Sequence, residues 1–228
     1  MEKALARFTG QESRIRGASR TDSGAHAKGQ VVDFLTGTQH HIDRFSPALN
    51  HHLPEDINVL EAHRVDDDFD SRKCALSRTY RYSILNRQAP SPLRRHSHHW
   101  IRESLDNEKM AEAAQLLVGI HDFRALAVGH PQDRSAVREV MRWEVARSGD
   151  NLVIECEATG FLKQMIRRAN GILTEIGRGK YPVEQVTQAL AGATSGGPLL
   201  PAHGLCLIGV KYPSSVTFGL ASGNIDSE

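Results

Sequence analysis

From Lys73 to Leu85 the chain changes side-chain character residue by residue. Cys74, Leu76, Arg78, Tyr80, Tyr82 and Ile84 share one parity; Ala75, Ser77, Thr79, Arg81 and Ser83 share the other. A helix would scatter that pattern around its circumference, whereas a strand sorts it, because successive side chains point to opposite faces. A strand of this length needs neighbours for its backbone N–H and C=O groups. The segment therefore predicts a sheet at the centre of the fold.

Other segments supply the remaining layers. Val137–Arg147 and Leu152–Ala158 read as an antiparallel pair around the turn Ser148-Gly149-Asp150, and Leu205–Tyr212 as a last strand. Shorter strands are expected at Arg14–Ala18, Gln30–Leu35 and Ile57–Val65. Helical spacing of apolar residues predicts helices over Ser104–Leu117 and Phe161–Ile176, with shorter ones over Met1–Phe8, over Phe45–Leu53 and from Pro182 towards Gly192. Hairpins punctuated by helices, without strict βαβ alternation, indicate an α+β fold. Asn86–Pro92 breaks the long alternation and reads as a connector. The expected division is an N-terminal half over 1–102, a C-terminal half over 103–213, and a loose polar tail over 214–228.

Charge is balanced overall, 28 Lys+Arg against 27 Asp+Glu, but unevenly spread. Residues 1–102 hold 16 of the cations and 12 of the acids. Within them, Ser71–Arg102 contains eight cations, seven of them arginine, and no acid, interleaved with Tyr80, Tyr82 and Trp100. Ordinary solvated surfaces mix both signs, and arginine suits phosphate and base stacking. A polyanion-binding surface is expected, with nucleic acid the obvious polyanion. No apolar run reaches the ~18 residues of a membrane span, and the N-terminus lacks a signal-like apolar stretch. Cys74, Cys156 and Cys206 form no C-x-x-C pair. These features point to a cytoplasmic chain with reduced thiols. The histidine clusters His40-His41, His51-His52 and His96-x-His98-His99 match no zinc spacing, so no metal is expected.

The densest chemical candidate is Gly17–Ala27. Asp22 is the only acid between Ser13 and Gln30, with Arg14, Arg16, Arg20 and Lys28 around it. A carboxylate among cations is a poor proton donor and a candidate nucleophile or charge stabiliser. A competing account is an Asx-turn aspartate that only shapes a loop.

In this segment, Ser19-Arg20-Thr21-Asp22-Ser23-Gly24-Ala25-His26-Ala27 followed by Gly29-Gln30-Val31, the chain resembles the tRNA pseudouridine synthase A family. The likeness continues through Leu53-Pro54-Glu55-Asp56-Ile57, Phe69-Asp70-Ser71-Arg72 and Arg78-Thr79-Tyr80-Arg81-Tyr82. It resumes at Gly119-Ile120-His121-Asp122-Phe123, Gly160–Arg167 and Pro201-Ala202-His203-Gly204-Leu205. The resemblance implies two ferredoxin- or RNA-recognition-like halves sharing a central antiparallel sheet. It implies isomerisation of uridine to pseudouridine in the anticodon arm of tRNA, at positions 38 to 40, by a homodimer without cofactor or metal. Asp22 would be the catalytic aspartate. Arg20 would help extrude the target nucleotide, Tyr80 would stack on the uracil, and Arg167 would pair with Asp22. Arg78 and His26 would face the RNA, His26 alternatively shaping the loop.

Three alternatives stand beside these roles: Tyr80 as a core residue, Arg167 in an interior structural ion pair, and the chain as an RNA-binding homologue impaired in catalysis. Family members begin with a strand before the helix in which Met1 falls, so the first strand of the N-terminal half is expected to be missing. A hydrolase pairing Asp22 with a histidine lacks a nucleophile motif such as G-x-S-x-G.

Overall fold

The computed structural model describes residues 1–216. In chain order its regular elements are α1 (Glu2–Thr9), β1 (Arg16–Gly17), β2 (His26–Ala27), β3 (Val32–Asp33), α2 (Phe45–His52), β4 (Ser77–Asn86), β5 (His99–Ile101), α3 (Asn107–Gln115), β6 (Gly119–Asp122), β7 (Val137–Ser148), β8 (Asn151–Ala158), α4 (Met165–Gly177), α5 (Gln185–Leu190) and β9 (Leu205–Lys211). They form two compact units. One comprises Met1–Ser19, Val31–Ala75 and the described residues from Tyr212; the other comprises Arg20–Gln30 and Leu76–Lys211. Most of the expected tail over 214–228 lies outside the described residues.

In the first unit, α1 and α2 bury Ala4, Leu5, Phe45 and Leu49 against each other. Gly10 ends α1 in the left-handed region at φ 71°, its N–H donating to the Ala6 carbonyl. The two-residue ladder of β1 and β3 is held by Arg16, whose guanidinium pairs with Asp33 at 2.5 Å and with Asp70 at 3.3 Å. Asp33 also accepts the Ser71 N–H at 2.8 Å, and the Tyr212 hydroxyl donates to the Ser71 carbonyl at 2.6 Å. The Phe69–Arg72 motif is thus fixed by hydrogen bonds to its backbone.

The strand expected over Ile57–Val65 does not form. The Asn50 side chain clamps Val59 instead, donating to its carbonyl at 2.9 Å and accepting its N–H at 2.7 Å. An amide that takes both backbone groups of one residue substitutes for a ladder partner.

The second unit is built on a seven-stranded sheet of order β2-β9-β4-β8-β7-β6, with β5 also on β4. The expected hairpin is present as β7 and β8, turning at Gly149 with φ 57°. β4 lies centrally between β8 and β9, and its alternation survives in Tyr80, Tyr82 and Ile84, all buried. Across the sheet an antiparallel arrangement was the expectation; the observed sheet is mixed. β2 runs parallel to β9, and β5 runs parallel to β4. β9 covers β4 only as far as Tyr82, leaving the edge at Ile84–Asn86 open. Residues 87–98 form a return long enough to bring β5 onto that edge in the same direction as β4.

Helices α3, α4 and α5 supply the other half of the core, which contains Trp143, Tyr82, Phe123 and Ile154, each 0% exposed. Each such apolar side chain contributes ~1.5–3 kcal/mol on full burial. Trp143 donates its indole N–H to Asn170 of α4 at 3.1 Å. The helices start later than apolar spacing suggested. Asp106 caps α3 by accepting the Lys109 N–H at 3.1 Å, so Ser104 stays outside. Gln164 takes φ 61° and delays α4 to Met165. α4 also passes very close to the 197–198 backbone: a Cβ on Gly171 would lie 2.0 Å from the Pro198 carbonyl oxygen.

Candidate active site

The site is assembled by the loop that leads into β2, by β4 and by the start of α4. All of its residues from Arg20 onward belong to the sheet-centred unit. Gly24, at φ 83°, closes a turn in which the Ala25 N–H donates to the Asp22 carbonyl at 2.9 Å. The turn leaves the Asp22 side chain 24% exposed, with Oδ2 accepting a hydrogen bond from Arg167 Nη1 at 2.6 Å. Arg167, 11% exposed, also donates from Nε to the Leu200 carbonyl at 2.6 Å. One guanidinium therefore bridges a carboxylate and a backbone carbonyl, a use of its fork that a lysine cannot reproduce. Oδ1 of Asp22 carries no hydrogen bond among the described residues.

Arg167 reaches this position because α4 begins where it does. The residues before it, Phe161 to Gln164, leave the helical path, and Phe161 meets Tyr80 edge-on at 5.3 Å between ring centroids. A non-glycine residue in the left-handed region costs ~1–2 kcal/mol. Gln164, three residues before Arg167, bears that cost at the turn that sets the helix start.

The remaining sequence candidates divide. Tyr80 is 3% exposed, and its hydroxyl donates to the Arg20 carbonyl at 3.2 Å, so it holds the loop from beneath. Arg20 itself is exposed beside Asp22 in sequence. His26 is exposed and donates from Nε2 to the His96 carbonyl at 2.5 Å. Arg78 is buried at the edge of β8, where its guanidinium donates to the Thr159 carbonyl at 2.8 Å. Asp22, Arg167 and the Tyr80–Arg20 contact thus form one constellation, while Arg78 is engaged with backbone.

Some participants carried no readable signal in sequence. The Leu200 carbonyl that shares Arg167 is a backbone group. Tyr82 is fully buried and donates to the Pro201 carbonyl at 2.9 Å; burial pushes its phenol up from the ordinary value, against a smaller opposing influence of Arg167. Tyr82 and Arg167 thereby fix consecutive carbonyls of one strap, 200–201, and Ala202 in that strap lies against the Gly24 turn. The Pro201–Leu205 motif could have been read as such a strap only with the pairing known.

Part of the acid-free cationic stretch finds acids elsewhere in the chain. Arg81 pairs with Glu155 at 2.9 Å, where Arg142 pairs as well at 2.7 Å, and Arg87 lies 3.6 Å from Asp150. Arg94, Arg95 and Arg102 meet no carboxylate among the described residues. No group of three or more His, Cys, Asp or Glu side chains is gathered as metal ligands among the described residues. No helix there is long and apolar enough to cross a membrane.

Comparison with known proteins gives this geometry its context. A family model described as tRNA pseudouridine synthase matches residues 113–213. A tRNA pseudouridine synthase A of Moorella thermoacetica is 42% identical over 212 residues, 92% of this chain and 86% of its own length. One from Methylobacterium sp. (strain 4-46) is 42% identical over 93% of this chain and 86% of its own length. One from Myxococcus xanthus is 37% identical over 100% of this chain and 87% of its own length. With the α+β fold and matches of this extent, the chain belongs to the tRNA pseudouridine synthase A family, a family of isomerases.

Proposed function

We propose that this chain converts uridine to pseudouridine in the anticodon arm of tRNA, at positions 38 to 40, with Asp22 as the catalytic carboxylate. The observation that carries the reading is the Asp22–Arg167 contact at 2.6 Å, which leaves Oδ1 unengaged and the carboxylate partly exposed. The reaction breaks the bond from N1 to C1′, turns the base and joins C5 to C1′, so it is redox-neutral. It calls for a carboxylate aimed at the nucleoside and a pocket that retains the freed uracil.

In this reading Arg167 orients Asp22 through Oδ2 and keeps Oδ1 for the substrate. Arg20, exposed on the same loop, helps draw the nucleotide out of its stack, which costs a few kcal/mol that phosphate contacts offset. Tyr80 anchors that loop through the Arg20 carbonyl, and its ring is the one the resemblance assigns to stacking on the uracil. His26, exposed on the same loop, takes an RNA-facing role, whereas Arg78, expected to face the RNA as well, is buried on the Thr159 carbonyl and supports the sheet behind the site. The resemblance further implies a homodimer engaging one tRNA, and two ferredoxin-like halves over 1–102 and 103–213.

The test is release of tritium from C5-labelled uridine in tRNA, with pseudouridine mapped afterwards, comparing the chain with Asp22→Asn. Release at the anticodon arm by the parent, and loss of at least roughly a thousandfold in Asp22→Asn, is expected for a nucleophile or charge stabiliser. Equal release by both proteins removes Asp22 from the chemistry. Binding of tRNA without release by either makes the chain an RNA-binding homologue.

A further inference from the structure

Two of the arginines without a carboxylate partner among the described residues, Arg94 and Arg95, and three histidines, His98, His99 and His203, come together at a second place in the same unit. A cavity of about 320 Å³ is lined by Arg94, Arg95, His98, His99, Trp100 and His203 over an apolar floor of Leu85 and Pro90. The connector creates it. After β4 ends, Pro90 and Pro92 turn the chain, a single 3-10 turn over Pro92–Arg94 follows, and β5 returns with Trp100 opposite Leu85. Arg94 is steadied by the Asn151 side chain, whereas Arg95 makes only a local bond from Nη1 to the Pro92 carbonyl at 2.8 Å. Trp100 is 40% exposed with its indole N–H fixed on the Arg87 carbonyl at 2.9 Å, so its ring is held but not covered.

The composition of these walls selects the ligand. Burial holds His99 down to about 4 and lowers His98 as well, so both of these imidazoles are neutral at physiological pH, and the two arginines bring permanent positive charge to the cavity. An indole, neutral imidazoles and a proline offer planar apolar surface; paired guanidinium groups offer an anion site. A planar base joined to a phosphate satisfies both at once. The volume falls in the range of small-ligand sites.

We propose that this cavity holds a second nucleotide of the bound RNA, its base against Trp100 and its phosphate on Arg94 and Arg95. The proposal rests on the reading that the substrate is RNA. The cavity is also wired to the Asp22 loop: the carbonyls of His96 and His98 accept from His26 and His203 at 2.5 and 3.1 Å. A nucleotide seated there therefore presses on the same segment that His26 grips.

Tryptophan emission supplies the test, because Trp143 is fully buried and only Trp100 can meet a ligand. Titration of the full chain with tRNA is expected to quench Trp100 emission, and Trp100→Leu to remove the quench and weaken binding roughly tenfold. Arg95→Gln, which disturbs no contact beyond Pro92, is expected to raise KM several-fold and to flatten the dependence of log affinity on log salt by roughly 0.7–0.9. Its kcat should stay within about twofold, since saturating RNA restores the reactive complex. Inorganic phosphate alone should leave the emission unchanged, whereas quenching by phosphate alone would make the site a simple anion trap. Unquenched emission at saturating tRNA, or an unaltered KM and salt slope in Arg95→Gln, overturns the proposal. A chain that binds tRNA and shows the quench without isomerising uridine would defeat the catalytic reading and leave this one standing.

Discussion

Arg167→Lys separates positioning from packing at Asp22, the carboxylate proposed as catalytic. The parent guanidinium makes two short bonds, to Asp22 Oδ2 and to the Leu200 carbonyl, both at 2.6 Å. Lysine keeps the charge but offers a single ammonium point, so one of the two acceptors must be surrendered. A hydrogen bond to a charged group is worth ~1.5–3 kcal/mol net; with Arg167 only 11% exposed little of that is recovered from water. At about 2–4 °C per kcal/mol for a chain of this size, melting should fall by roughly 3–12 °C. Turnover should suffer more. If lysine retains Leu200, Asp22 is released; if it retains Asp22, the carboxylate is drawn by a shorter arm, and a misplacement near 1 Å costs about a hundredfold. Single-turnover rates on tRNA beside thermal melts of the same protein read both quantities. A melting drop with turnover within about threefold of the parent would refute the argument: the pair would then be an interior ion pair that serves stability alone.

His99 is held down to about 4 by burial first, then by His203 and Arg178, against an ordinary 6.5. Between those values the unfolded chain takes up the proton and the folded chain does not. Stability from this group is therefore fully present above pH ~6.5 and declines as pH falls towards 4, by about 1–2 kcal/mol after allowance for partial exposure. Urea melts of the parent and His99→Phe across that window should show the parent losing stability relative to the variant as pH falls; a difference independent of pH would discount His99. Gly171→Ala drives a Cβ to 2.0 Å from the Pro198 oxygen, so overpacking should cost at least ~1–3 kcal/mol in denaturant unfolding. Gln164→Gly relieves the left-handed strain at φ 61°. It should leave stability unchanged or raise it by about 1 kcal/mol, whereas a marked loss would show that the Gln164 side chain makes contacts worth more than the strain.

How much of this could be read from the chain differs by the kind of signal. The β4 alternation and the β7–β8 hairpin were legible because both are local: a period of two and a short turn at Gly149-Asp150 are written in consecutive residues. The Ile57–Val65 strand was misread because its outcome depends on Asn50, whose amide takes both backbone groups of Val59 from outside the segment. The mixed character of the sheet was hidden for a related reason. Nothing in His99–Ile101 announces a strand, and it becomes one because β9 stops short and leaves an edge of β4 unfilled.

At the candidate site the same distinction decides what could be seen. Asp22 was conspicuous as a lone acid among cations, and the family resemblance supplied Arg167, which sits 145 positions away in sequence and 2.6 Å away in space. The partners that make the pair precise in geometry were invisible: two carbonyls of the 200–201 strap and a left-handed Gln164 are backbone features with no side-chain signature. The cationic stretch shows the limit from the other side. Counted in sequence it was uniformly unpaired, yet Arg81 and Arg87 meet Glu155 and Asp150, acids contributed by the β7–β8 hairpin. What folding leaves without a carboxylate among the described residues includes Arg94 and Arg95, the two that line a cavity beside an exposed indole. Pairing thus acts as a filter on the sequence signal. It consumes charges that stabilise the sheet and leaves two of the others, Arg94 and Arg95, together at the cavity proposed to take a phosphate.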